Sequence, residues 1–369
     1  MRILICEAQF SAGGAERVVC NLANYLSKKN VVKVVALARS EVAYEMSKEV
    51  TFDFIDTRVY QTNRGKLSKM YNKLKKNIFR LFRLSKEIKT FEPDIILSFL
   101  PEPSFFTLFL KKKDVPVIIS VRNDPKIEYR SKVYHFLMKW LYPKADGIVF
   151  QTEEAKEYFN DIISCSVKVI PNPINPEFIK KPFSGNRKKK IVSVGRLAAQ
   201  KNQKMLIEAF TNLSSKFKNY TLTIYGEGEL RESLLKEIQE KQLEKRVFLP
   251  GVEKDIKNKI YDASLFVLTS AYEGMPNALM EAMALGLPVI STDCPCGGPA
   301  FLIKNNINGI LVQVNDVEGL TKSIERILSD PVFSKKIALN ASRISQTLSP
   351  EKINKEWADF IDQIMTEMR

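Results

Sequence analysis

Short, continuously apolar runs alternate with amphipathic stretches along the whole chain. In the first half the runs fall at Ile3–Ala8, Val32–Leu37, Asp94–Phe99, Val117–Val121, Gly147–Gln151 and Val167–Ile170. In the second they fall at Ile191–Val194, Thr221–Tyr225, Val247–Leu249, Leu265–Thr269, Val289–Thr292 and Gly309–Val312. Unbroken Val, Ile and Leu, rather than strict alternation, is how a strand buried on both faces reads. Between the runs, apolar positions recur at helical spacing, as in Val18, Leu22 and Leu26, or Leu206, Ala209, Phe210 and Leu213. The pattern predicts an α/β protein with two doubly wound parallel sheets joined by right-handed crossovers.

A chain of 369 residues is long for one core, so two domains are expected. The proline-rich segment from Pro171 to Pro176, followed by Lys180, Lys181 and the basic run 187–190, reads as the linker between domains at 1–175 and 176–349. Residues 350–369 form an amphipathic helix with Ile353, Trp357, Phe360, Ile361 and Ile364 on one face.

The richest stretch for chemistry runs from Glu273 to Thr292. A loop carboxylate, Glu273, is followed by Gly274, Met275 and Pro276, then by a helix carrying Asn277, Ala278, Leu279 and Glu281. Pro276 suits the first helical position, where its missing N–H costs nothing. The amides of Asn277, Ala278 and Leu279 would then point outward at the positive end of the helix dipole, which makes an anion site. Gly286 and Pro288 mark the helix end. An exposed carboxylate at each end of a phosphate-sized site suits a ligand with a diphosphate and sugar hydroxyls, that is, a nucleotide sugar. A second segment supports the first. Gly195 and Arg196 follow the strand ending at Val194, and Lys201 opens the next helix. Arg and Lys there would clamp a diphosphate, one as a planar fork and one as a mobile point charge. Ligands of open parallel sheets bind at such strand ends.

Three motifs in order carry a family resemblance: Gly13-Gly14-Ala15-Glu16-Arg17, Gly195-Arg196-Leu197 with Lys201-Asn202, and Glu273-x7-Glu281. Across nearly the whole chain the sequence resembles the retaining GT-B glycosyltransferases of family GT4. The resemblance implies a GT-B fold, with two Rossmann-like domains facing across a cleft and a tail helix crossing back to the first. It implies that Arg196 and Lys201 hold the donor diphosphate and that Glu281 bonds the ribose. Glu273 would contact the sugar at the reacting face, making Glu273, Arg196 and Lys201 the catalytic set. Gly13, Gly14, Gly195, Gly226, Val252, Met275, Pro276, Asn277, Ala278 and Leu279 complete the expected donor site. Many relatives place a histidine after the strand that here ends at Val121; this chain has Arg122 and Asn123, which are expected to take over the sugar contact. His135, the single histidine, sits in an aromatic stretch and is expected to pack in a helix.

Charge adds a third partner. Lys plus Arg is 57 against 42 Asp plus Glu, a net +15. Much of the excess lies at 64–90, where Lys69, Lys73, Lys76, Arg80 and Arg83 interleave with apolar positions. That is an amphipathic basic helix suited to an anionic membrane surface. The resemblance extends to enzymes that lengthen polyprenyl-diphosphate-linked glycans. The expected function is therefore transfer of a hexose or N-acetylhexosamine, from a nucleotide sugar with UDP favoured, to such a lipid-linked acceptor. Capsule, exopolysaccharide or lipopolysaccharide synthesis would be the setting. No apolar run approaches the ~18 residues of a membrane span, and the first residues read as a strand rather than a secretion signal. The expected location is the cytoplasmic face of the membrane, peripherally held. Five scattered cysteines and one histidine offer no metal framework, so neither metal nor cofactor is expected. Nucleic-acid binding is open from charge alone, but no recognition module accompanies it. A GT-B sugar epimerase, or an anion-binding protein without catalysis, is the alternative.

Overall fold

The computed structural model describes residues 1–10, 13–40, 44–58 and 66–368, with side chains throughout except at Lys66, Leu67 and Lys69. The chain folds as two compact units, Met1–Pro171 with Ile353–Arg369, and Asn172–Lys352. The first unit runs β1 (Arg2–Glu7), α1 (Gly14–Leu26), β2 (Val31–Ala36), β3 (Val50–Phe54), α2 (Lys66–Phe91), β4 (Ile95–Phe99), α3 (Pro101–Phe109) and β5 (Val117–Ser120). It continues with α4 (Pro125–Glu128), α5 (Lys132–Leu141), β6 (Gly147–Phe150), α6 (Glu153–Glu157) and β7 (Ser166–Val169). All strands pair in parallel, in the order β3-β2-β1-β4-β5-β6-β7. The centre of the sheet is dry: every residue of β4 is buried. Strand β3 was not expected, because Val50–Phe54 alternates buried and exposed as an edge strand does rather than forming an apolar run.

Chain order fixes which face each helix covers. The steps β3 to β4, β4 to β5 and β5 to β6 move in one direction along the sheet, while β1 to β2 moves in the other. Right-handed crossovers therefore place α2, α3 and α5 in one layer and α1 in the opposite one. Side chains tie that layer together. Arg80 of α2 reaches Glu102 of α3 at 3.4 Å, and the rings of Phe105 and Tyr134 meet edge-on at 5.3 Å.

The second unit runs β8 (Lys188–Val194), α7 (Gln203–Leu213), β9 (Thr221–Tyr225), α8 (Arg231–Glu240), β10 (Val247–Gly251), α9 (Ile256–Ile260), β11 (Ala263–Leu268) and α10 (Asn277–Ala284). Next come β12 (Val289–Asp293), α11 (Gly298–Leu302), β13 (Ile310–Gln313), α12 (Val317–Ser329), α13 (Pro331–Ser342) and α14 (Ile344–Thr347). Its parallel sheet is ordered β10-β9-β8-β11-β12-β13, over a core that includes Leu206, Phe210, Ile224, Leu265, Ile290 and Ile324. The basic run 187–190 is not linker. Lys188 to Lys190 open β8, and Arg187 donates to the carbonyls of Tyr261, Ala263 and Gly286 at 3.3, 3.0 and 2.5 Å. Residues 172–175 likewise pack with the second unit.

The last helix, α15 (Pro350–Glu367), belongs to the first unit from Ile353 onward. Its five apolar positions Ile353, Trp357, Phe360, Ile361 and Ile364 are each 1% exposed. Trp357 lies 5.5 Å from the Phe99 ring, and a side chain at Gly147 would come within 3.1 Å of Phe360 and Ile364. Each such buried side chain contributes about 1.5–3 kcal/mol.

Candidate functional site

In the second unit the strand order reverses between β8 and β11, and the loops leaving these two strands hold the charged residues. Val194 ends β8, and Gly195 and Arg196 follow. The Arg196 carbonyl accepts from Gln203 Nε2 at 2.8 Å, while its side chain is exposed. The β9 loop presses against this turn. Gly226 has φ +137°, and a Cβ there would stand 2.0 Å from the Gly195 carbonyl oxygen, so only glycine fits. Leu197 N donates to the Glu227 carbonyl at 2.9 Å and Leu230 N to the Leu197 carbonyl at 3.0 Å. Gly226 thus shapes the Arg196 turn through its backbone.

Lys201 ends a short 3-10 turn and points at the other loop. Its ammonium pairs with Glu273 Oε1, which also accepts from Ser270 Oγ at 2.6 Å. The Glu273 backbone is held from both sides, its N–H donating to Pro295 O at 2.6 Å and its carbonyl accepting from Cys296 N at 3.0 Å. Thr292 Oγ1 donates to Ser270 O at 2.6 Å. Glu273 and Glu281, read as exposed acids, are 6% and 8% exposed. The loop from Cys296 to Pro299 packs directly on the segment that follows Glu273: a Cβ at Gly298 would fall 1.8 Å from Gly274 O and 2.9 Å from Pro276 Cδ. Burial, with Glu273 nearby, pushes the Cys294 thiol up to about 12, so it is inert rather than reactive. Ser270, Thr292 and Asn172 were missed, since a lone serine, threonine or asparagine in a loop gives no spacing to read.

The anion site is narrower than expected. Pro276 is not the first helical residue but the cap before it, at φ −77° and ψ 95°. Its carbonyl accepts from Leu279 N and Met280 N, both at 3.1 Å, so the Leu279 amide is occupied. The amides of Asn277 and Ala278 remain to face an anion. Asn277 Oδ1 accepts from Asn172 Nδ2 at 2.9 Å, which orients it. Met275 is buried, and Val252, past Gly251 at the end of β10, is 74% exposed. Gly286 ends α10 with φ +70°, as its place past the last apolar position predicted.

The remaining candidates lie in the first unit. Gly13 precedes α1, and the Glu16 carboxylate folds back so closely that a Cβ at Gly13 would meet it at 2.1 Å; Gly14 is the first helical residue. Past β5, Arg122 is buried, its guanidinium 5.7 Å from the Phe99 ring and 3.4 Å from Ser120 Oγ. Burial lowers its pKa to about 10, opposed by the Glu7 carboxylate. Glu7, fully buried at the end of β1, is raised well above the carboxylate range by desolvation. Glu128 is raised to about 7 by burial and by Asp124. Asn123 is half-buried, and Asp124 caps α4 through Lys126 N at 2.9 Å. His135 is half-buried in α5.

On α2, Lys73 and Arg83 are exposed and Lys76 is half-buried, with burial lowering its pKa. Arg80 corrects the membrane reading: it is 4% exposed, 3.6 Å from Asp56 and 3.4 Å from Glu102, so it ties α2 to its own unit. The Lys69 side chain and residues 64 and 65 lie outside what the structure describes. Among the described residues no helix is long and apolar enough to cross a membrane, and no three His, Cys, Asp or Glu side chains gather as a metal site.

Two family profiles match the chain nearly end to end, "Glycosyltransferase Family 4" over residues 12–178 and "Glycosyl transferases group 1" over residues 175–344. The chain belongs to these glycosyltransferases. It is 28% identical over 367 residues, covering 99% of both chains, to a Campylobacter jejuni enzyme. That relative is named the α-1,4-N-acetyl-D-galactosaminyltransferase of GalNAc-α-(1→4)-GalNAc-α-(1→3)-diNAcBac-PP-undecaprenol. Among solved structures, sucrose-phosphate synthase from Thermosynechococcus elongatus matches with a TM-score of 0.84 at 18% identity, over 99% of both chains. HepE from Anabaena in complex with UDP matches at 0.81 and 19%, over 98% of this chain and 100% of that one. These likenesses establish the GT-B fold of the glycosyltransferase, two Rossmann-like parallel-sheet units in one chain.

Proposed function

We propose that this glycosyltransferase moves a hexose or N-acetylhexosamine, with retention of configuration, from a UDP sugar to a polyprenyl-diphosphate-linked glycan during cell-surface polysaccharide synthesis. The observation that carries the donor half is the convergence of Lys201, Glu273 and Ser270 beside the free amides of Asn277 and Ala278 at the start of α10. UDP bound to the structural relative HepE, and the undecaprenyl-diphosphate acceptor in the Campylobacter relative's name, support the two substrate classes. The α linkage in that name fits retention.

In the proposed reaction the bond between the sugar's anomeric carbon and the diphosphate oxygen breaks as the acceptor hydroxyl oxygen attacks the same face. The acceptor's proton passes to the leaving phosphate. The transition state is oxocarbenium-like, and negative charge builds on the diphosphate. Arg196, Lys201 and the two amides oppose that charge, a term usually dominant in such sites. Because the Glu273 backbone is fixed on both sides, its carboxylate is preorganised to meet sugar hydroxyls. Glu281 is assigned to the ribose. The charge on the diphosphate is assigned to these groups, with no metal or cofactor in the scheme.

The acceptor would be met at the membrane. The outer face of α2 carries Met70, Leu74, Ile78 and Phe82 at intervals of one helical turn, each 59–69% exposed, with Tyr71 beside them. Such a stripe on a soluble surface is costly, and each side chain recovers about 1.5–3 kcal/mol on entering an apolar phase. Lys73 and Arg83 on the same helix would each add about 1 kcal/mol near anionic lipid. Peripheral binding at the cytoplasmic face follows.

The test is nucleotide release by purified protein across UDP-glucose, UDP-galactose, UDP-N-acetylglucosamine, UDP-N-acetylgalactosamine and GDP-mannose, with and without lipid extract. Release with one UDP sugar, stimulated by lipid and lost in Glu273→Ala, is expected. Release only with GDP-mannose, or equal release by the variant, overturns the donor assignment. Unchanged vesicle binding after Leu74→Ser with Ile78→Ser overturns the membrane part.

A further inference from the structure

A second exposed apolar surface lies in the same helical layer as α2 and is not used by anything above. On α5, Val133, Phe136 and Trp140 follow one helical face and are 64%, 65% and 46% exposed; Phe109, at the end of α3, is 54% exposed. The Phe136 and Trp140 rings stack at 6.4 Å, and Phe109 meets Trp140 edge-on at 6.2 Å. The chain's other tryptophan, Trp357, is 1% exposed. Lys112 and Lys113 follow α3, Lys132 and Lys139 lie on α5 and Lys144 just past it, all exposed, and the Lys144 ammonium sits 4.5 Å over the Trp140 ring. Asp114 is the exposed acid nearest in sequence.

We propose that this aromatic cluster, centred on Phe136 and Trp140, is a second insertion point that enters the interface of an anionic bilayer beside the α2 stripe. It rests on the membrane reading of the previous subsection. Tryptophan's amphipathic ring favours the depth of lipid headgroups. Lysine stems lie along apolar surface while their ammonium groups reach outward to lipid phosphates. The charge also selects the occupant. A two-fold pairing of this surface with a second copy would bring the same lysines face to face, and like charges opposed across an interface are unfavourable. An anionic bilayer neutralises them instead. Because right-handed crossovers put α2, α3 and α5 in one layer, both apolar surfaces belong to the same side of the first unit.

Trp140 is its own reporter. The full chain is mixed with vesicles of phosphatidylcholine and phosphatidylglycerol whose acyl chains carry bromine, and tryptophan emission is followed alongside vesicle flotation. A blue shift and bromine quenching are expected, absent in Trp140→Phe, which keeps the apolar contact. Phe136→Ser with Trp140→Ser should weaken flotation by about tenfold or more. Flotation of the wild type with unquenched Trp140 would refute this insertion point and leave docking through α2 standing. No flotation at all would remove both, while nucleotide release without vesicles would still judge the donor assignment. Self-association in the absence of lipid that the double serine variant abolishes would make the cluster a copy interface and overturn the proposal.

Discussion

Both units are parallel sheets with charged residues at the carboxyl ends of their strands, yet they hold those charges in opposite ways. In the second unit Lys201 and Ser270 both contact Glu273 Oε1, so the buried carboxylate is compensated and hydrogen-bonded. In the first, the second carboxylate oxygens of Glu7 and Glu128 are buried without a hydrogen-bond partner, and both groups are pushed toward their neutral forms. The comparison teaches what burial alone does not reveal. A carboxylate met by a lysine and a serine is fixed in place for a ligand, whereas one whose burial outweighs its few partners is pushed toward its neutral form and makes its unit sensitive to pH.

The largest effect should come from breaking the paired side. Arg196→Ala, at an exposed side chain, is expected to lower turnover by about 10²–10³ with the unfolding temperature unchanged. Lys201→Ala should lose at least as much turnover and also stability, since it leaves Glu273 buried with only Ser270 for company. Nucleotide-release kinetics beside thermal unfolding separate the two. Equal stability of both variants would mean that the Lys201–Glu273 pair does not hold the loops. Next in size is Gly298→Ala. The added methyl would strike Gly274 O, so the Glu273 loop must shift at a cost of about 1–3 kcal/mol, visible as a lower unfolding midpoint and a raised KM for donor.

Much of this arrangement was legible in the sequence, and the misses share a cause. Continuous apolar runs marked the parallel strands because both sheet faces are covered, and β3 escaped because an edge strand is covered less. The spacing from Glu273 to Glu281 marked a loop and a helix. It did not show that Glu273 meets a lysine 72 positions earlier, since pairing across loops is set by strand order and not by periodicity. Arg80 was misread for a related reason. Apolar residues lie all around α2, so composition could not tell which side packs inward; Leu84 and Ile88 do, Arg80 with them, and Met70, Leu74, Ile78 and Phe82 stay outside. At Pro276 the error was one position, and it moved the Leu279 amide from the site into the cap.

The first unit's side of the contrast is sharpened by pH. A carboxyl whose native pKa is raised binds its proton more tightly in the folded state. Its stabilising protonation is complete below the ordinary carboxylate pKa and is lost as pH climbs through the native value. For Glu128 the window runs from about 4.5 to about 7, and Glu7 acts in the same direction over a higher range. Both tryptophans, Trp140 and Trp357, belong to the first unit, so their fluorescence follows its unfolding specifically. Urea unfolding of that unit is expected to be easier at pH 8 than at pH 5, with Glu128 contributing up to ~3 kcal/mol and Glu128→Gln shrinking the difference. A midpoint that rises with pH would reverse the assignment.

The smallest predicted effect discriminates most finely between the two arrangements. Ser270 Oγ donates to Glu273 at 2.6 Å while Thr292 Oγ1 donates to the Ser270 carbonyl, so the serine's hydroxyl and its backbone are held separately. Ser270→Ala removes only the hydroxyl. The backbone stays pinned by Thr292, and Lys201 still compensates Glu273. The loss in stability should therefore be about 1 kcal/mol, the ordinary worth of one hydrogen bond with its partner otherwise satisfied. A loss several times larger would show that the Lys201 pair is weak in solution and that Ser270 is the main partner holding Glu273 in place. In that case the contrast between the two units would rest on one hydroxyl and not on an ion pair.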